Sequence, residues 1–130
     1  MLGMKTYPAE YVAQCRVLVR SDIDVFETSK VSADLEPVFF RNMLFALDGY
    51  FVHRLRTLEG KDGNALNEVR VMCNSVMLHG GVMTAEKSIN LSPEASVLGI
   101  PYGEKIVLDA ASFRRLSDNF FREIEAKYHE

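Results

Sequence analysis

Apolar residues recur along this chain with two different periods, and the change of period divides it. From Val12 the stripe is Val12, Cys15, Val19, Ile23 and Phe26, in steps of 3, 4, 4 and 3. Residues three or four apart share one face of an α-helix, so this spacing predicts a helix. Pro8 suits its first turn, where a missing N–H leaves no acceptor unmet. Residues 29–34 break the pattern, with Asp34 placed to cap a second helix and Pro37 still inside its first turn.

That second helix is predicted over 35–58. One stripe is Phe40, Leu44, Leu47, Phe51, Leu55 and Leu58, and Phe39, Met43, Ala46 and Tyr50 lie beside it. The remaining face, Arg41, Phe45, Asp48, Val52 and Arg56, still holds two large apolar residues. A helix apolar nearly all round is central to its fold or buried against a partner. In so short a chain three other helices can hardly enclose it. A symmetric homodimer is therefore expected, with Phe45 and Val52 at the interface.

Residues 59–64 (EGKDGN) close this helix, with Gly60 as a left-handed C-cap and Asn64 as the N-cap of a third. Helix three carries Leu66, Val69, Cys73 and Val76 and stops at Gly80 and Gly81. Beyond it the period shortens to two. Residues 88–91 and 105–108 alternate Ile, Leu and Val with other residues, which predicts two antiparallel strands flanking one turn of helix at 93–98. Asp109 caps a final helix with Phe113, Leu116, Phe120 and Ile124 inward and basic Arg122 and Lys127 toward its C-terminal half. The expected fold is mainly α. Four helices form a bundle, a short two-stranded β-ribbon precedes the last of them, and residues 1–130 make a single helical domain.

Composition narrows the function classes. With 130 residues, 48% hydrophobic and 25% charged, the chain can bury a core without disulfide or metal staples. Fifteen basic against 18 acidic residues, a net charge of −3, disfavour nucleic acid, whose binding wants a concentrated basic excess. The longest fully apolar run is 43–47, far short of the roughly 20 residues of a membrane span. The first twenty residues contain Lys5, Glu10, Arg16 and Arg20 and no export signal, so a cytoplasmic protein is expected. Cys15 and Cys73 fit neither a CxxC pair nor a zinc spacing, and are expected as buried reduced thiols.

Candidate chemistry is sparse. His53, His79 and His129 are scattered, with no HxxxH, HExxH or Glu-x-x-His pair, so no metal and no cofactor are expected. No G-x-S-x-G elbow occurs, and no catalytic residue is assigned. Asp48, Glu59, Asp62 and Glu68 read as solvated helix ends. The loop between helices two and three is more pointed. Helix, GKDG, helix resembles the GxxG loop of KH domains, which clamps a phosphate backbone, although Asp62 sets a negative charge where phosphate would lie. In a milder form, Arg54, Arg56 and Lys61, with Gly63, Asn64 and Asn67, gather beside the N-terminus of helix three. The free amides there suit a small anionic ligand.

Two wider resemblances concern the second half. Residues 89–93 followed by VLGIPYGEKI at 97–106 resemble the strand, short helix, strand core of the AbrB and MazE swapped-hairpin DNA-binding proteins. Lys87 and Lys105 are offset here by Glu86, Glu94 and Glu104. The order FVHRLRTLEGKDGNALNEV, the paired glycines, PEASVLGI and FRRLSDNFFREIE resembles small bacterial proteins without assigned activity, over residues 51–125. That likeness implies no site residue. The expected function is a non-enzymatic, homo-oligomeric interaction or regulatory module. The alternatives are a protein binding an anionic ligand, or a small enzyme, using Arg54, Lys61 and Asn64, and a nucleic-acid-binding regulator built on the hairpin.

Overall fold

The computed structural model describes residues 3–130. It has five helices, α1 (Ala9–Thr28), α2 (Leu35–Tyr50), α3 (Arg56–Glu59), α4 (Ala65–Leu78) and α5 (Ala110–Lys127). The protein is mainly helical, at 56% of the described residues. Helix α1 starts directly after Pro8 and buries Val12, Cys15, Val19 and Ile23, as the 3–4 spacing predicts. Asp109 caps α5 through a reciprocal pair: its carboxylate accepts from the Ser112 N–H at 2.8 Å, and the Ser112 hydroxyl accepts from the Asp109 N–H at 3.0 Å. Helices α1 and α5 run antiparallel, with Arg16 on Glu125 at one end and Arg114 on Asp24 and Glu27 at the other.

One apolar cluster draws on α1, α2, α4 and α5. Two aromatic strings cross it. Phe26, Phe40 and Phe113 stand 5.0 and 5.5 Å apart by ring centroid, and Tyr7, Phe51 and Phe120 stand 4.9 and 5.9 Å apart. Each large side chain buried in this way contributes about 1.5–3 kcal/mol.

Four expectations are corrected. The helix predicted over 35–58 is interrupted: α2 ends at Tyr50, residues 51–55 turn, and α3 is a separate single turn. The cause is not local. The Met4 N–H donates to the His53 carbonyl at 2.7 Å and the Leu55 N–H to the Met4 carbonyl at 2.9 Å, so the N-terminal segment pulls this stretch out of the helix. Phe51 stays fully buried, whereas Leu58 is left exposed. Asp34 precedes α2 without a side-chain capping bond, its backbone being already helical.

The predicted ribbon of 88–91 with 105–108 is likewise absent, and with it the basis of the swapped-hairpin likeness. The pairing found is slight and joins other residues: Met83 N–H to the Glu104 carbonyl at 2.8 Å, Gly103 N–H to Met83 at 2.9 Å, and Ile106 N–H to Gly81 at 2.8 Å. Residues 93–98 form turns, not a helix. Instead of pairing with itself, this long connection is tied to α4 and to the loop before it. The Ser75 hydroxyl accepts from the Thr84 N–H at 3.0 Å, the Asn74 amide donates to Glu86 at 3.0 Å, and the Asn90 N–H donates to the Lys61 carbonyl at 2.8 Å.

Candidate functional site

The 60s loop and the ends of the helices around it assemble a dense polar cluster. By ending α2 early, the turn at 51–55 points Arg54 inward, where its side chain is fully buried. Arg54 Nε donates to Glu59 Oε1 at 2.8 Å, and Nη1 donates to Asp48 Oδ1 at 3.0 Å and to the Phe51 carbonyl at 3.1 Å. Its guanidinium carbon lies 5.5 Å from the centre of the Phe120 ring. Glu59, also fully buried, accepts two further bonds from Arg70, at 2.7 and 3.0 Å, and one from the Asn67 amide at 2.9 Å. Two cations thus face two carboxylates, which is how buried charge is tolerated.

Burial pushes the Glu59 carboxyl up, but the Arg70 hydrogen bond, the charges of Arg54 and Arg70 and the Asn67 amide outweigh it and hold the group below its ordinary value. A carboxylate saturated by donors and held ionised is a poor proton acceptor. Structural anchoring is what this arrangement does well. Glu68 is the opposite case. It is buried without a cation, and its two oxygens accept from the Val97 N–H at 2.8 Å and the Leu98 N–H at 3.0 Å. Burial raises its pKa, against the pull of those two amides.

The loop itself is built by its asparagines. Asn64 caps α4 as expected, accepting from Leu66 N–H at 2.9 Å and Asn67 N–H at 3.1 Å, and it donates to the Glu59 carbonyl at 2.7 Å. Asn67 reaches back to take the Gly63 N–H at 2.9 Å. Gly63 has φ +90°, and a Cβ there would stand 2.5 Å from the Asn90 carbonyl oxygen, so only glycine fits. Of the six residues expected to hold an anion, Arg54 and Asn67 are buried, Gly63 and Asn64 are half-buried, and Arg56 and Lys61 are exposed. The α4 amides of Leu66 and Asn67 already donate to Asn64. Asp62, whose carboxylate also accepts from Asn64, is held below its ordinary pKa by that bond.

The residues that organise the cluster, Glu59 and Glu68, are not the solvated helix ends expected of them. The signal lay in their register. Glu68 falls four residues before Met72, on the inward side of α4, and Glu59 sits between two arginines that its charge can reach. Of the residues expected at a dimer interface, Phe45 is half-buried against the core, while Val52 is 54% exposed.

Cys15 and Cys73 are both buried and unpaired, and burial pushes the Cys73 thiol up to about 12. Among the described residues no three of His, Cys, Asp and Glu converge to hold a metal ion, and no helix is long and apolar enough to cross a membrane. Compared with family models, with curated proteins and with solved structures, the chain matches none.

Proposed function

We propose that this protein is a non-enzymatic interaction module that assembles with a second copy of itself. The observation that carries this is the outer face of α1, where Val17, Leu18 and Val25 are 61%, 49% and 60% exposed. Aliphatic side chains grouped in water on one helix face mark an interaction surface. Ser21, small and midway between Val17 and Val25, leaves a shallow hollow walled by those two valines, Arg20 and Asp24. The face is self-complementary: in an antiparallel pair centred on Ser21, Val17 of each copy meets Val25 of the other, as a twofold contact requires. The turn that follows α2, with the exposed Val52, is the second place where a copy would dock.

An anionic ligand at the 60s loop has less support, because Arg54 already faces Glu59 and Asp48. Sedimentation equilibrium tests the assembly. The wild type is expected at twice its 14.7 kDa chain mass at micromolar concentration. Val17→Glu with Val25→Glu should return it to monomer, and Val52→Glu should not. A monomeric wild type would overturn the proposal, and loss of the dimer only in Val52→Glu would move the interface to the turn after α2.

A further inference from the structure

A second surface differs from the α1 face in combining three properties. Between α2 and residues 105–108 lies a cleft of about 250 Å³ with apolar walls of Pro37, Val38, Leu44, Val76, Val107 and Leu108. It runs on into a hollow at Gly80 and Gly81, where neither glycine would bring a Cβ within 4 Å of anything. Arg41 and Lys105 stand where the two spaces meet and line both. Neither takes part in any of the ion pairs among the described residues. No carboxylate lines either space, and Glu36 of α2 accepts from the Ala110 N–H at 3.1 Å.

The third property lies in the backbone. Residues 105–108 carry no helix, and Ile106 donates to Gly81 on one side. The amides of Lys105 and Val107 donate to no backbone acceptor among the described residues, and the Val107 side chain is 67% exposed. Successive residues of an extended segment point to opposite sides, so a segment bonded through Ile106 on one side keeps an open edge on the other. Such an edge takes an added strand, with main-chain bonds supplying affinity and flanking pockets supplying specificity.

We propose that this cleft binds an extended peptide segment of another protein carrying both acidic and aliphatic side chains, laid along residues 105–108. Its aliphatic side chains would occupy the space between Val38 and Val107, and its carboxylates would meet Arg41 and Lys105. Lys105 and Val107, two residues apart on an extended segment, share a face, so the acidic and the aliphatic residue that meet them stand two positions apart in the peptide. The unbonded amides favour a peptide over a free amphipathic carboxylate, which has no backbone to pair with them. The proposal does not rest on self-association through α1.

Selection of short random peptides displayed against the full chain, wild type and Arg41→Glu with Lys105→Glu in parallel, tests it. Peptides enriched on the wild type should place an aliphatic residue two positions from an acidic one, bind about tenfold or more weakly to the double variant, and shift the Lys105 and Val107 amide resonances. Both altered side chains are exposed, and circular dichroism confirms that the variant folds; Val107→Lys is a second variant that should lose the same peptides. No enrichment over the double variant, enriched peptides without acidic residues, or shifts confined to other amides would overturn the proposal. So would saturable binding of octanoate through Arg41 and Lys105 with no peptide selected, which assigns the cleft to a small carboxylate.

Discussion

Replacing Glu59 by Gln alters one oxygen and no volume, and it bears on the whole cluster. The carboxylate receives four hydrogen bonds, two from Arg70 and one each from Arg54 and Asn67. With the amide oxygen kept toward Arg54, the new NH2 faces the Asn67 amide and Arg70 Nε, donor against donor. Asn67 cannot flip to relieve this, because its own oxygen holds the Gly63 N–H. Two bonds to a charged acceptor are lost at about 1.5–3 kcal/mol each, and the buried Arg54 guanidinium keeps Asp48 as its one paired carboxylate. The expected loss is about 3–5 kcal/mol, the usual cost of breaking a buried pair from one side. Against a typical total of about 5–15 kcal/mol this is a large fraction. Urea denaturation at pH 7, followed by far-UV circular dichroism, measures it.

The pH dependence supplies a second check on the same variant. Glu59 is held below its ordinary value in the folded chain. Its contribution is therefore complete above the unfolded value of about 4.3 and fades as pH falls through the native pKa. The gap between wild type and Glu59→Gln should be constant from pH 7 to about 5 and then close. A loss under about 1 kcal/mol at pH 7, or a gap that widens with acid, would refute the reasoning.

Further predictions follow from single sites. The Tyr7 hydroxyl is buried with no hydrogen-bond partner among the described residues, so Tyr7→Phe should leave the thermal midpoint unchanged or raise it; a clear fall would show that the hydroxyl is bonded, for instance to a buried water. Gly63→Ala should cost more than the roughly 1 kcal/mol of a left-handed alanine, because its Cβ meets the Asn90 carbonyl, whereas Gly80→Ala should cost only that; equal melting temperatures for the two would refute the distinction. Both cysteines should react with a disulfide reagent at the rate of unfolding, so labelling complete before any unfolding would count against their burial.

The legible parts of this fold are those whose causes are local. Val12, Cys15, Val19 and Ile23 are buried because their spacing leaves a helix no other inward face, and the caps Asn64 and Asp109 act on amides two or three residues away. The end of α2 was not legible. The stripe Leu47, Phe51, Leu55 continues in phase past Tyr50, and what stops the helix is Met4, far away in the chain. The second half shows an intermediate case. Ile89, Leu91 and Leu108 are buried in the alternating manner their pattern predicts, yet they pack as extended segments on α4 and the core rather than pairing with one another. Period two encodes which side chains turn inward; it does not encode the partner strand. The polar cluster was half legible: its residues lay in the right loop, but charge in the sequence does not reveal whether water or an arginine will answer it.

The bonds from Glu68 to Val97 and Leu98 tie the fate of an irregular segment to that of a helix. Ordinarily, amides outside helices and strands exchange with solvent quickly, since nothing but local fluctuation protects them. Here two such amides are held by a buried side chain of α4. Val97 and Leu98 should then exchange at the pace of α4, while Ala95, bonded only to Ser92 within its own turn, should exchange far sooner. In the order of unfolding, the connection between α4 and α5 belongs with the helix before it, and a protease probing the folded chain should find little purchase at 97–98 until that helix opens.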